Sequence, residues 1–270
     1  MPFIRRAARL ASATAMLAAL ALVLLIPGVS QTAAQDAPGA VFSDTEEKAI
    51  GEIVRSYLLA NPQLMLEVLE ELEAYEDGIE KERQAEAIAA NYEALFRDSH
   101  SFVAGNPDGA ITVIEFFDYR CPYCQQTADD IQTLIDTHED VRLVLKEFPI
   151  LGPDSTIASQ AAIAAIPQGK YLEFHFAMLR SEGNLDLDEV MDIAADVGLN
   201  VRQLARDMDT ARVSTIIETN RNLAFEVGVR GTPAFIIGDE LLPGAASLEA
   251  LEARLDAVRQ ERKATEEEAG

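Results

Sequence analysis

Ile111-Thr112-Val113-Ile114-Glu115-Phe116-Phe117-Asp118-Tyr119-Arg120-Cys121-Pro122-Tyr123-Cys124 is the stretch that decides the fold of this chain. Its first seven residues form an apolar run with the pattern of a buried strand. Gln125 to Thr137 then reads as a helix, with Ile131, Leu134 and Ile135 on its apolar face. Cys121 and Cys124 are the only cysteines, and they fall at the strand-to-helix junction. Two thiols separated by two residues at such a junction suit thiol–disulfide exchange. A helix N-terminus offers unpaired N–H groups and partial positive charge, which favour the thiolate at Cys121. Only the thiolate attacks a disulfide. Pro122 fits the first helical turn, where its missing N–H removes no helix bond. Cys124, one turn on, is placed to resolve the mixed disulfide that Cys121 would form. A structural disulfide over so short a loop would constrain little chain entropy. A zinc site would need two more ligands, and His100, His138 and His175 are scattered. Redox chemistry is the favoured reading.

The N-terminus carries Arg5, Arg6 and Arg9, an apolar run from Leu10 to Ile26, then Pro27-Gly28 and the small residues Thr32-Ala33-Ala34. This is the three-part pattern of a secretory signal peptide over residues 1–34, with an uncleaved membrane anchor as the alternative. Export by such a signal implies the periplasm. There, a protein with two cysteines is not using disulfides as staples, which again argues for catalytic use. The 22 basic and 46 acidic residues give a formal net charge of −24. That balance argues against nucleic-acid binding and fits a well-solvated surface.

Ser43-Asp44-Thr45-Glu46 is a capping box that opens a helix bearing Ile50, Ile53, Val54, Tyr57 and Leu58. Asn61-Pro62 stops it and starts another. The second helix carries a stripe of Met65, Val68, Leu72, Tyr75 and Ile79, interrupted at Glu82 and Glu86, then resumed by Ala85, Ile88, Tyr92 and Leu95 on a shifted face. Residues 43–98 therefore form an acidic helical module whose stripe needs a partner, either the catalytic domain or, as the preferred reading, another copy. The turn cluster Gly105-Asn106-Pro107-Asp108-Gly109 leads into the domain of residues 101–265. Val141 to Phe148 reads as a second buried strand. Strand, helix and strand form a βαβ unit. Residues 154–227 read as nearly continuous helix, with breaks near Pro167-Gln168-Gly169, Ser181 to Asn184 and Gly198 to Asn200. A Gly231-Thr232-Pro233 loop, a hairpin across Gly238-Asp239 and a helix over 247–261 follow. The tail 262–270 is expected to fray.

Three motifs occur in an order that resembles the DsbA-like branch of the thioredoxin superfamily: Val113 to Cys124, Lys146-Glu147-Phe148-Pro149, and Val229-Arg230-Gly231-Thr232-Pro233-Ala234-Phe235. The resemblance implies an α/β thioredoxin fold with a large helical insertion. Tyr57 to Pro62, with Leu66-Glu67-Val68-Leu69, further resembles the N-terminal module of ScsC-like proteins. By this resemblance, Cys121 and Cys124 are the redox pair. Pro233 is a cis-proline, and Thr232 before it offers backbone bonds to an incoming chain, with Pro122 and Tyr123 beside them. Glu115 is the one acid of an otherwise apolar strand. In the family such an acid lies under the cysteines and transfers protons near a lysine, for which Lys146 is the candidate. Family oxidases often carry Val where this chain has Thr232, and His within the Cys pair where it has Tyr123. That leans towards disulfide isomerase or reductase work rather than dithiol oxidase work. A non-enzymatic copper- or zinc-binding protein is the competing class. The implied partners are exported substrate proteins with cysteines, a membrane redox partner, and further copies of the chain through the N-terminal helices. No cofactor, no metal site and no nucleic acid is implied.

Overall fold

The structure, a computed structural model, describes residues 42–269. The signal-peptide expectation lies outside the described residues, among which no helix is long and apolar enough to cross a membrane. The chain divides into two units after Leu66.

In the first unit, helix α1 (Asp44–Ala60) opens at Ser43. Glu46 Oε2 accepts hydrogen bonds from the Ser43 N–H at 2.8 Å and from its hydroxyl at 2.7 Å. Asp44, Glu46 and Glu47 place negative charge at the positive end of the helix. Asn61 closes α1 by donating its amide to Tyr57 O at 2.8 Å. Helix α2 (Pro62–Ala90) then runs unbroken through Glu82 and Glu86, where the apolar stripe is interrupted. Its Ala, Glu, Lys, Gln and Arg residues are strong helix formers, so loss of the stripe does not end the helix. Ile53, Val54, Tyr57, Val68, Leu69, Leu72, Tyr75 and Ile79 are all exposed.

The second unit continues with α3 (Tyr92–Phe96), β1 (Phe102–Gly105), β2 (Ile111–Phe117), α4 (Pro122–Thr137) and β3 (Val141–Glu147). The inserted helices are α5 (Pro153–Ala165), α6 (Tyr171–Leu179), α7 (Leu187–Asp196), α8 (Val201–Asp207) and α9 (Ala211–Glu226). The chain closes with β4 (Ala234–Ile237), β5 (Glu240–Pro243) and α10 (Leu248–Ala269). The strands form one sheet in the order β1-β3-β2-β4-β5. β2 and β3 are parallel, joined by α4, and every other pairing is antiparallel. This is the thioredoxin-type sheet with a helical insertion that the motif order implies. β1 was not anticipated. It is a short edge strand ending at Gly105, where φ is +70° and a Cβ would lie 2.8 Å from Val141 O, so glycine is the residue that fits.

Each central strand is buried on both sides, and period-two alternation sorts its side chains into two cores. One face carries Val113, Phe117, Leu143, Leu145, Phe235 and Ile237 against α4, α10 and the inserted helices. The other carries Ile114, Phe116, Val144, Phe148, Ala234 and Ile236, with Leu223 of α9. Ile88, Leu95 and Phe96 belong to this second core. The packing of the sheet thus recruits the end of α2 and α3, upstream of residue 101. The tail does not fray where expected: α10 continues to Ala269. Arg254 pairs with Glu261 at 2.9 Å, Arg262 donates to Ala110 O, and Thr265 donates to Glu261 O at 3.0 Å, holding the added turns.

Candidate active site

Parallel pairing with β3 and antiparallel pairing with β4 bring the end of β2, the start of α4 and the loop before β4 to one edge of the sheet. Cys121 is the N-cap of α4, with Pro122 in its first turn. Cys121 is 4% exposed and Cys124 1% exposed, and both thiols are free. Their environments differ sharply. The Cys121 thiol lies 3.1 Å from the carbonyl oxygen of Thr232. Its ionised form is stabilised first by a hydrogen bond from the Cys124 thiol, against the cost of burial. The Thr232 side chain and the N–H groups of Cys124 and Tyr123 add to this, and together they bring Cys121 down to about 5. Cys124 goes the other way. Burial pushes its thiol well above the ordinary range, its hydrogen bond to Cys121 holds the proton, and the charge of Glu115 raises it further.

Asp118 fixes the junction from inside. Its Oδ1 accepts from the Arg120 N–H at 2.8 Å, and its Oδ2 accepts from the N–H groups of Ile150 and Leu151 at 2.8 and 2.9 Å. The loop after β3 is thereby tied to the residues that lead into Cys121. Arg120 pairs with Asp154 of α5 at 3.5 Å. Tyr123, between the cysteines, is 61% exposed. The Thr232–Pro233 peptide bond is cis, and Pro233 O accepts from the Gly244 N–H at 2.9 Å.

Glu115 is 2% exposed and shares a sheet face with Val113 and Phe117, the face that the cysteines cover. Burial, then the charge of Cys121, then that of Glu147 push it up to about 8. Lys146 is not brought to it. The register pairs Glu115 with Leu145, so Lys146 alternates onto the opposite face beside Val144. There its ammonium donates to Ala94 O at 2.8 Å and pairs with Asp98. Burial lowers Lys146, and the Asp98 charge opposes that fall. The expectation that Lys146 serves Glu115 is therefore corrected: it anchors the turn after α3. The ionisable β3 residue on the cysteine face is Glu147.

Glu147, Tyr119, Tyr171 and Asp118 are not singled out by the sequence reading, and His175 enters it only as a scattered candidate zinc ligand. Glu147 stands inside the quoted Lys146-Glu147-Phe148-Pro149 motif. Alternation says that Lys146 and Glu147 face opposite sides, but the side that meets the cysteines depends on the β2–β3 register, which no local pattern encodes.

A dithiol at a helix N-terminus, facing a cis-proline loop on a five-stranded mixed sheet, defines a thioredoxin-fold protein of the Cys-x-x-Cys class. Residues 112–256 match the DSBA-like thioredoxin domain, and the chain belongs to that family. Residues 46–76 match the copper resistance protein ScsC N-terminal domain. A thioredoxin-like oxidoreductase from Silicibacter pomeroyi is 43% identical, with a TM-score of 0.62, over 63% of this chain and 98% of that one. A linker-deletion variant of Proteus mirabilis ScsC is 26% identical, with a TM-score of 0.63, over 83% of this chain and all of that one. Among curated proteins, the Na(+)/H(+) antiporter NhaA 1 of Salinispora arenicola is 28% identical over 56% of this chain. The chain spans about a quarter of the length of such curated relatives.

The two thiol environments lead to a direct expectation. In the reduced protein, alkylation of Cys121 rises with pH to half its plateau near pH 5 and is flat above, because the thiolate is then fully formed. Cys124 in native protein reacts at least ~100-fold more slowly at neutral pH, since the thiolate is the reactive species. Lys146→Met, on the far face, leaves the Cys121 midpoint in place, whereas Cys124→Ala moves it upward. Peptide mass spectrometry after timed alkylation reads all four.

Proposed function

We propose that this chain is a protein thiol–disulfide oxidoreductase that acts on exported proteins in the periplasm. The observation that carries the reading is the division of labour within one helical turn, an acidic thiol at Cys121 and a buried, proton-holding thiol at Cys124. The Cys121 thiolate attacks one sulfur of a substrate disulfide. That S–S bond breaks, a Cys121–substrate disulfide forms, and the other substrate sulfur leaves as a thiolate that takes a proton from water. Cys124 then gives its proton to Glu115 in its carboxylate form and attacks the Cys121 sulfur. The second substrate thiolate leaves, and Cys121–Cys124 becomes the disulfide. If a different substrate thiolate instead attacks the substrate sulfur of the mixed disulfide, a new substrate disulfide forms, Cys121 leaves as the thiolate, and the substrate is isomerised. The reverse sequence, starting from the enzyme disulfide, oxidises a substrate dithiol and needs a membrane partner to regenerate it.

The direction follows from how strongly the reduced form is stabilised. A nucleophile near 5 lies between the values of about 7 in thioredoxin and about 3.5 in DsbA. Tyr123 in place of histidine withholds one source of thiolate stabilisation, while Thr232 supplies another. Both support isomerase or reductase work at an intermediate potential. Equilibration with glutathione at pH 7 should give a potential near the roughly −180 mV of a disulfide isomerase, between about −270 mV and about −120 mV. A value at the DsbA end would assign the oxidase role instead. Cys121→Ser should abolish reduction of a disulfide-bonded test protein. Exchange activity that survives this change would reject the proposed nucleophile.

The exposed stripe of Val68, Leu69, Leu72, Tyr75 and Ile79 supports self-association through the N-terminal helices. Several active sites on one assembly would suit isomerisation of a misfolded chain. Sedimentation of residues 35–270 should show an oligomer that the double variant Leu69→Asp/Leu72→Asp dissociates. A monomer in both would leave the stripe without this role.

A further inference from the structure

The sheet face under the cysteines carries a polar cluster that the mechanism above does not use. Glu147, at the end of β3, is buried. Its Oε1 accepts hydrogen bonds from the Tyr171 hydroxyl at 2.7 Å and the Tyr119 hydroxyl at 3.1 Å. The Tyr119 oxygen also lies 3.0 Å from His175 Nδ1. Among the described residues, Glu147 Oε2 and His175 Nε2 are buried without a hydrogen-bond partner within bonding distance, although Ser159 lies close enough to Glu147 to stabilise its charge. Behind the strand, the Asn220 amide donates to Glu147 O at 3.3 Å.

Among the described residues, no lysine or arginine is hydrogen-bonded to this carboxyl. The titratable groups set around it are Asp118, Tyr119 and Glu115 from β2 and the junction after it, and Tyr171 and His175 from α6. His175 is neutral: burial, then the charge of Arg180, push it down to about 3. Burial raises Glu147 to about 8 despite its hydrogen-bond donors, led by Tyr171. The β2–β3 register pairs Glu115 with Leu145 and Phe117 with Glu147. Glu115 and Glu147 are therefore diagonal neighbours on one face of the sheet, in an environment too dry to screen one from the other.

We propose that Glu147 is a positioning residue for the thiol chemistry: held by Tyr119 and Tyr171 beside Glu115, it titrates with Glu115 as one coupled pair beneath the cysteines, so that the charge on one carboxyl sets the proton affinity of the other. This rests on the reading of Glu115 as the acceptor of the Cys124 proton. In the state that accepts the Cys124 proton, the pair holds one proton and Glu115 is the ionised member. Afterwards it holds two, and the excess returns to water. Ionised Glu147 makes Glu115 the stronger base, while protonated Glu147 lets Glu115 carry the charge that accepts a proton. By reciprocity, the influence runs equally in both directions.

Carbon-13 NMR of protein labelled at the glutamate side-chain carboxyls tests the coupling without turnover. The Glu115 and Glu147 signals are assigned by their loss in Glu115→Gln and Glu147→Gln. In the native reduced protein the two should titrate together in two steps. In Glu147→Gln the Glu115 signal should collapse to one step and move down by about 1 pH unit or more, and in Glu115→Gln the Glu147 signal should do the same. A Glu115 midpoint unchanged in folded Glu147→Gln overturns the proposal. Should Glu147→Gln not fold, an unchanged Glu147 midpoint in Glu115→Gln overturns it alone. Coupled titrations in a protein without exchange activity would leave the proposal standing and sink the activity instead.

Discussion

The approach of the Cys121 thiol to Thr232 O, across 111 residues of chain, is the contact on which the site depends. It joins the N-terminus of α4 to the loop that enters β4. Each side is held by an independent framework. Cys121 follows β2 and is steadied by Asp118, whose carboxylate ties Arg120 to the loop after β3. Thr232 precedes β4, which pairs with β2 over Val113 to Phe116. The sheet therefore fixes the distance between nucleophile and cis-proline loop, and the thiol–carbonyl contact closes it. Inserted helices α5 to α8 fill one side of this frame, and α9, α3 and the end of α2 fill the other.

That geometry turns two chemically identical thiols into different reagents. Cys121 meets donors from the helix start and from Thr232, while Cys124, one turn on, faces the core above Glu115. Beneath them lie two carboxyls and two phenols with no arginine or lysine hydrogen-bonded to either carboxyl among the described residues. A buried negative charge of this kind is costly. Burial pushes both carboxyls up to about 8, and the fold places its buried lysine, Lys146, on the opposite face with Asp98.

Much of this was legible in residues 111–124. A two-sided apolar strand, a helix-compatible Cys-Pro-Tyr-Cys and a Thr-Pro loop far downstream together specify the sheet, the insertion and the reacting pair. What escaped was whatever depends on register. Lys146 and Glu147 are adjacent in sequence, and a shift of one residue in the β2–β3 pairing would exchange their faces. Edge strand β1 has four residues and a glycine end, too little periodicity to stand out. His175 and Tyr171 sit on an inserted helix that is largely apolar, so nothing local marks them as partners of a residue in β3. The stripe on α2 was legible as a pattern, and its burial at Ile88 but not at Tyr75 reflects where the sheet's second core ends.

The central claim is that the fold assigns attack to Cys121 and resolution to Cys124. The most direct measurement is to mix the reduced protein with limiting glutathione disulfide, quench with acid within milliseconds to seconds, and locate glutathione by peptide mass spectrometry. The adduct should appear on Cys121, transiently in the native protein and persistently in Cys124→Ala, as attack by the lower thiol requires. Glutathione found first on Cys124 in the native protein would contradict that assignment.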